Sequence, residues 1–155
     1  MDEEQFLGMF GSCAAAFRLE WQTDPVPDEE AAFTYWLAGN PLLPSQWPMW
    51  ADWLDFTRSL GGKITRVRLI DDPPTPYQEW GMWAIPYHRE AGDDIRCMAH
   101  SLAEVLGIPP GNWWMFDNQL VTMKGTSKTL VTDTEVIAVH LAWKERALSH
   151  TQVTA

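Results

Sequence analysis

At 155 residues, 46% of them hydrophobic and 21% charged, the chain is long enough for one domain with its own core and too apolar to stay disordered. No run reaches the roughly 18 apolar residues that span a bilayer. A net charge of −10 lacks the basic footprint that direct nucleic-acid binding requires, because neutralising phosphates drives that affinity. The acidity is uneven: residues 1–62 carry ten acids against Arg18 and Arg58, and residues 63–155 carry eleven acids against nine bases.

Phe6, Met9, Phe10, Cys13, Ala16 and Phe17 recur at three- and four-residue spacing, which predicts one helix over residues 3–19. Trp21 to Asp28, with Pro25 and Pro27, breaks the pattern, and Asp28 is the expected N-cap of a second helix bearing Phe33, Trp36 and Leu37. Gly39-Asn40-Pro41 ends it. Residues 49–60 form a third helix with Trp50, Trp53, Leu54 and Phe56, closed by Gly61-Gly62. The period then changes from helical to alternating. Ile64, Val67, Leu69 and Ile70 make a strand whose Arg66 and Arg68 project to the opposite face.

After a proline-rich loop, residues 77–87 read as an aromatic helix that Pro86 is expected to end or kink. A short strand follows at 95–98, then a short helix at 101–106 stopped by Gly107 and Pro109-Pro110. Residues 113–116 and 120–123 flank Asp117-Asn118-Gln119, a hairpin pattern, and 129–131 adds a further short strand. Thr132 or Asp133 caps a closing helix with Val136, Val139, His140 and Trp143 on one face. The fold class expected is α/β, with α+β as the alternative: N-terminal helices on a small mixed sheet, a hairpin and a C-terminal helix. Residues 1–149 form one globular domain in this reading, and 150–155 a frayed tail.

An acidic N-terminus without an apolar stretch behind it does not resemble a secretory signal. Cys13 and Cys97 are far apart in apolar surroundings and read as buried thiols of a reducing cytoplasm. No phosphate-binding loop, CxxC pair or nucleophile elbow occurs, so no catalytic residue, metal or cofactor is assigned. A metal site joining His88 and His100 to Asp93 or Asp94 is weighed and set below ordinary turn chemistry. Helical spacing assigns Trp36, Trp50, Trp53 and Trp143 to packing. Surface contacts are expected from some of Trp21, Trp47, Trp80 and Trp83, since exposed tryptophan is enriched in interface hot spots.

Ala16-Phe17-Arg18-Leu19-Glu20, the Val67-Arg68 strand, Ala91 to Arg96, Trp113 to Asp117 and Val139 to Trp143 together resemble an uncharacterised actinobacterial domain family. Its members are encoded near helix-turn-helix regulators, which implies a regulatory or partner-binding role. The order of elements also looks like half of a phospholipase D-type fold, whose signature is HxKxxxxD ending at Asp117. Counting back, the lysine position holds Asn112 and the histidine position Pro110, so that motif is not intact and its chemistry lacks both nucleophile and phosphoryl clamp.

The function expected is a non-catalytic cytoplasmic module that binds a protein partner, such as a basic DNA-binding regulator, through its acidic N-terminal helices and exposed tryptophans. The alternative is a small-molecule sensor or enzyme with a pocket near Tyr77, Trp83, Asp94 and Arg96.

Overall fold

A computed structural model describes residues 1–151. Its elements follow in the order α1 (Glu3–Ser12), β1 (Ala16–Glu20), α2 (Glu30–Leu37), α3 (Trp50–Ser59), β2 (Ile64–Ile70), α4 (Pro76–Glu90), β3 (Asp94–Ala99), α5 (His100–Val105), β4 (Trp113–Phe116), β5 (Gln119–Lys124), β6 (Ser127–Val131) and α6 (Thr134–Ser149). Single 3₁₀ turns at Pro27–Glu29 and Pro44–Gln46 introduce α2 and the approach to α3. Among the described residues the strands form one mixed sheet in the order β3-β2-β1-β4-β5-β6. β1, β2 and β3 run parallel, and β4 pairs antiparallel with β1 and opens a meander through β5 and β6. The α/β class stands. None of the described helices is long and apolar enough to cross a membrane.

Local chemistry explains most element ends. Asp2 and Gln5 form a reciprocal capping box on α1, Thr75 and Gln78 form one on α4 behind Pro76, and Asp133 accepts from two backbone N–H groups at the start of α6. Gly61 (φ 57°) and Gly62 (φ 81°) end α3 in the left-handed region, where a side chain would be strained. Asp28 does not serve as the expected cap of α2. Glu29 organises that start instead, its carboxylate accepting from the Val26 N–H at 3.3 Å and from the Tyr77 hydroxyl at 2.9 Å.

The largest correction concerns the single helix expected over 3–19. It ends at Ser12, Cys13 turns to extended geometry (φ −97°, ψ 157°), and Ala16–Glu20 becomes β1 between β2 and β4. Ala16 and Phe17 continue the helical spacing of Phe6 to Cys13 by coincidence, and long-range pairing overrides local periodicity. Asp117, in the β4–β5 turn at φ 52°, fixes the change of direction. Its carboxylate accepts from the N–H groups of Ala14 (3.0 Å) and Ala15 (3.1 Å). Those two bonds hold its pKa below the ordinary aspartate value, so their contribution is present above that value and is lost as pH falls through the folded-state pKa. Asp117→Ala is expected to lower the melting temperature and to flatten its decline below pH 4; a variant melting like wild type at both pH 7 and pH 3 would contradict this role.

Three further expectations change. α4 continues through Pro86 to Glu90; Pro86 is solvent-exposed, where water satisfies the carbonyl its missing N–H releases. Cys97 is exposed on the edge strand β3, while Cys13 is buried as expected. Thr151 is buried, its hydroxyl donating to the Ala147 carbonyl at 2.8 Å, and residues 152–155 of the expected tail lie outside the described residues.

The sheet separates two interiors. On one face Phe17, Leu19, Val67, Leu69, Trp113 and Met115 pack with Ala103 of α5 and Ala147 of α6. On the other, Ala16, Ile64, Trp114, Phe116 and Val121 pack with Phe6 and Phe10 of α1. Phe10 sits edge-on to Phe116, Trp114 and Phe56 at 4.8, 5.0 and 5.1 Å between ring centroids, the favoured geometry for opposing ring quadrupoles. That second cluster stops partway along β1 and β2, and what replaces it is not apolar.

Candidate functional site

Period-two alternation gives β1 and β2 a hydrophobic face and a charged face. Their parallel register sets Arg18 beside Arg66 and Glu20 beside Arg68. On an edge strand such charges would reach water. Here the two strands sit inside the sheet, and the segments from Gln22 to Trp53 and helix α4 lie over them. The result is a charged floor beneath a protein roof.

Glu20, with its side chain 5% exposed, is the hub of that floor. Its carboxylate lies 3.2 Å from Arg68 Nε, 3.5 Å from Arg18 Nη1 and 3.7 Å from Arg66 Nη1. Arg66 also pairs with Asp93, which precedes β3. Burial alone would raise the Glu20 pKa, but the guanidinium groups of Arg18, Arg68 and Arg66 overcome it and hold the carboxyl far below its usual range. Desolvation acts on Arg18 in the opposite sense and lowers its pKa, opposed by Glu20. Each guanidinium carries five N–H donors, many more than these carboxylates take up. Arg18 Nε is buried and has no hydrogen-bond partner among the described residues.

The roof is aromatic. Trp47 and Trp80 lie 5.1 Å apart, and Trp50 and Trp53 4.9 Å apart. His88 of α4 fits edge-on between the last two, at 5.5 and 4.8 Å. Desolvation first, then the nearby Arg66 and Arg68, push the His88 pKa down to about 3, so its imidazole is neutral at pH 7. Tyr77 closes one side. Burial and the adjacent Glu29 push its pKa up, keeping the phenol protonated and donating to Glu29. Burial raises the Glu29 pKa too, against the lowering effect of that same bond. Floor and roof enclose a cavity of about 600 Å³, within the few-hundred to roughly 1,000 Å³ typical of small-molecule sites.

Of the residues singled out in the sequence, Trp47, Tyr77 and Trp80 meet at this cavity, and Trp80, only 2% exposed, is not the surface residue expected. Trp50 and Trp53, assigned by spacing to packing, also line it and are half-buried. The pocket expected around Tyr77, Trp83, Asp94 and Arg96 is not assembled: only Tyr77 lines the cavity. Trp83 packs on Tyr87 at 5.5 Å. Asp94 and Arg96 pair with each other at 3.0 Å on β3, and Arg96 reaches the Thr151 carbonyl. Trp21 donates its indole N–H to Asp71, which also meets His100. His88 lies 3.8 Å from Asp93 while His100 meets Asp71, and no cluster of three metal-ligating side chains occurs among the described residues.

Asn112 and Asp117, two of the three positions that the HxKxxxxD signature would occupy, flank opposite ends of β4. Asn112 clamps the Trp21 backbone in both directions, at 3.2 and 3.0 Å, and Asp117 holds Ala14 and Ala15. Each has a structural task. The residues of this site missed by the sequence reading are Arg18, Glu20, Arg66 and Arg68, and His88 was weighed there only as a metal ligand. Arg18 was hidden by assignment to a helix and Glu20 by falling just past its expected end, although they alternate with Phe17 and Leu19 as Arg66 and Arg68 do with Val67 and Leu69.

A family model described as a domain of unknown function (DUF6879) matches residues 4–153. No curated protein and no solved structure matches the chain. The chain belongs to the DUF6879 family.

Proposed function

We propose that this DUF6879 domain is a small-molecule-binding module, sensory or regulatory in role, whose site is the cavity between the arginine floor of β1 and β2 and the tryptophan roof. The observation that carries the reading is the composition of that space. One buried and three half-buried charges of the sheet and four indoles surround a volume of about 600 Å³, where an ordinary α/β sandwich packs aliphatic side chains. Retaining buried arginines costs desolvation energy and is poor evidence of a stabilising role. A ligand is what gives the arrangement a use.

A thermal-shift screen against aromatic acids, nucleotides, amines and phosphoesters tests the reading, since a ligand at 100 times its Kd adds about 2.7 kcal/mol. Trp50→Ala removes a half-buried roof residue and is expected to weaken any hit by about 10–100-fold, read from titration of the intrinsic tryptophan fluorescence. A screen without hits, or hits indifferent to Trp50→Ala, would count against this site.

A second reading, docking to a basic protein such as a DNA-binding regulator, draws on surface charge. Asp2, Glu3, Glu4, Asp24, Asp28, Glu30, Asp52 and Asp55 are all exposed, a field suited to steering a cationic partner. A salt-sensitive complex with such a regulator would support it, and charge reversal at these positions that left the complex unchanged would oppose it.

A further inference from the structure

Given that the cavity is a ligand site, the inventory of its donors and acceptors specifies what kind of ligand it takes. We infer that the ligand is a planar, largely apolar molecule bearing an oxyanion, a carboxylate or phosphate, which seats against Arg18 and Arg68 while its body lies among Trp47, Trp50 and Trp80.

The two carboxylates that meet the floor arginines and Tyr77 are already engaged. Glu20 faces three guanidinium groups, and Glu29 accepts from the Tyr77 hydroxyl and the Val26 N–H. The donors are in surplus. Among the described residues Arg18 makes a single ionic contact, with Glu20 at 3.5 Å, lies over the Trp114 ring, and has no hydrogen-bond partner for its buried Nε. Arg68 spends Nε on Glu20 and Nη1 on a long 3.4 Å bond to the Gly81 carbonyl. The indole N–H of Trp80, another cavity-lining group, is buried without a partner among the described residues. Buried donors are ordinarily satisfied, and a guanidinium fork is shaped for the paired oxygens of a carboxylate or phosphate. A cationic ligand would meet three guanidinium groups gathered on Glu20.

The upper part of the site selects for shape. Trp47 and Trp80 are tilted 40° to one another, and Trp50 and Trp53 35°, and such indole faces favour a flat body by stacking and apolar contact. Gly81, on the face of α4 over the floor, leaves its would-be Cβ position 3.6 Å from Arg68 Nη1, so no side chain intervenes there.

The test titrates the full chain, by calorimetry, with 2-naphthoate, 2-naphthyl phosphate and neutral 2-naphthol. Whichever oxyanion fits is expected to bind at least about tenfold more tightly than the naphthol, and its affinity is expected to fall with added salt. Arg18→Lys keeps a positive charge for Glu20 but removes the fork. It is expected to abolish at least about tenfold of the anion's advantage over naphthol. Arg68→Lys, at a slightly more open position, gives the same readout if Arg18→Lys does not fold. Equal binding of acid and naphthol would overturn the inference and leave the cavity reading standing. Tight anion binding unaffected by both lysine variants would place the anion elsewhere and overturn it as well. Failure of all three probes to bind would remove both the inference and the reading on which it rests.

Discussion

Glu20→Ala is expected to destabilise the fold by about 3–5 kcal/mol, the usual cost of stranding a buried charge. The wild-type carboxylate sits among three guanidinium groups at 3.2–3.7 Å, and only Asp93 remains near Arg66 once it is gone. The loss is not additive with changes at its partners. In Glu20→Ala/Arg18→Met one of the three stranded charges is itself removed, so the pair is expected to cost less than the two single substitutions summed. Denaturant unfolding of the four proteins measures the coupling. Additive losses would mean that the floor is solvated rather than interdependent. The pH dependence has a defined sign. Because the guanidinium groups overcome burial and hold the Glu20 pKa below its ordinary 4.5, its contribution is complete above pH 4.5 and disappears only as pH falls further, through the folded-state value.

His88 is expected to dominate the acid limb above that point. Buried beside Arg66 and Arg68, it titrates at about 3 in the folded chain and at 6.5 when unfolded. Above pH 6.5 it is neutral in both states and stability is unaffected. Between 6.5 and 3 the unfolded chain binds a proton that the folded chain refuses, so stability falls as pH falls. At about 1.4 kcal/mol per unit, the loss between pH 7.5 and pH 4.5 amounts to about 2–3 kcal/mol. His88→Gln forfeits the packing against Trp50 and Trp53, and is expected to be less stable than wild type at pH 7.5 by about 1 kcal/mol. At pH 4.5 the order should close or reverse, because the glutamine does not titrate. Urea midpoints at the two pH values decide it, and parallel losses in both proteins would show that His88 is not desolvated.

Periodicity was informative wherever one face of an element meets one apolar surface. The strand at Ile64–Ile70, the hairpin around Asp117-Asn118 and the Asp133 cap follow from alternation, turn chemistry and capping, which are local. It misled where local and global preferences part. Cys13 to Phe17 extend a helical pattern by accident, and only pairing with β2 and β4 shows that they do not belong to it. That single error concealed the site, because Arg18 on a helix and Glu20 just past its end would be solvent-facing charges, whereas on a central strand they are enclosed. The tryptophans show a second limit. Spacing correctly put Trp50 and Trp53 on one helix face, but it carries no information about what that face meets, and it meets a cavity with a charged floor. Trp80 is buried by α2 and the 42–53 segment arriving over α4, a tertiary event with no signature at residue 80.

The most direct measurement is a crystal structure of the full chain grown with 2-naphthyl phosphate. The account predicts density for the probe between β1–β2 and the tryptophan roof, its phosphate within hydrogen-bond distance of Arg18 Nε and its rings against Trp47, Trp50 or Trp80. A cavity closed by collapsed side chains, or holding only water with the probe bound elsewhere, would contradict it.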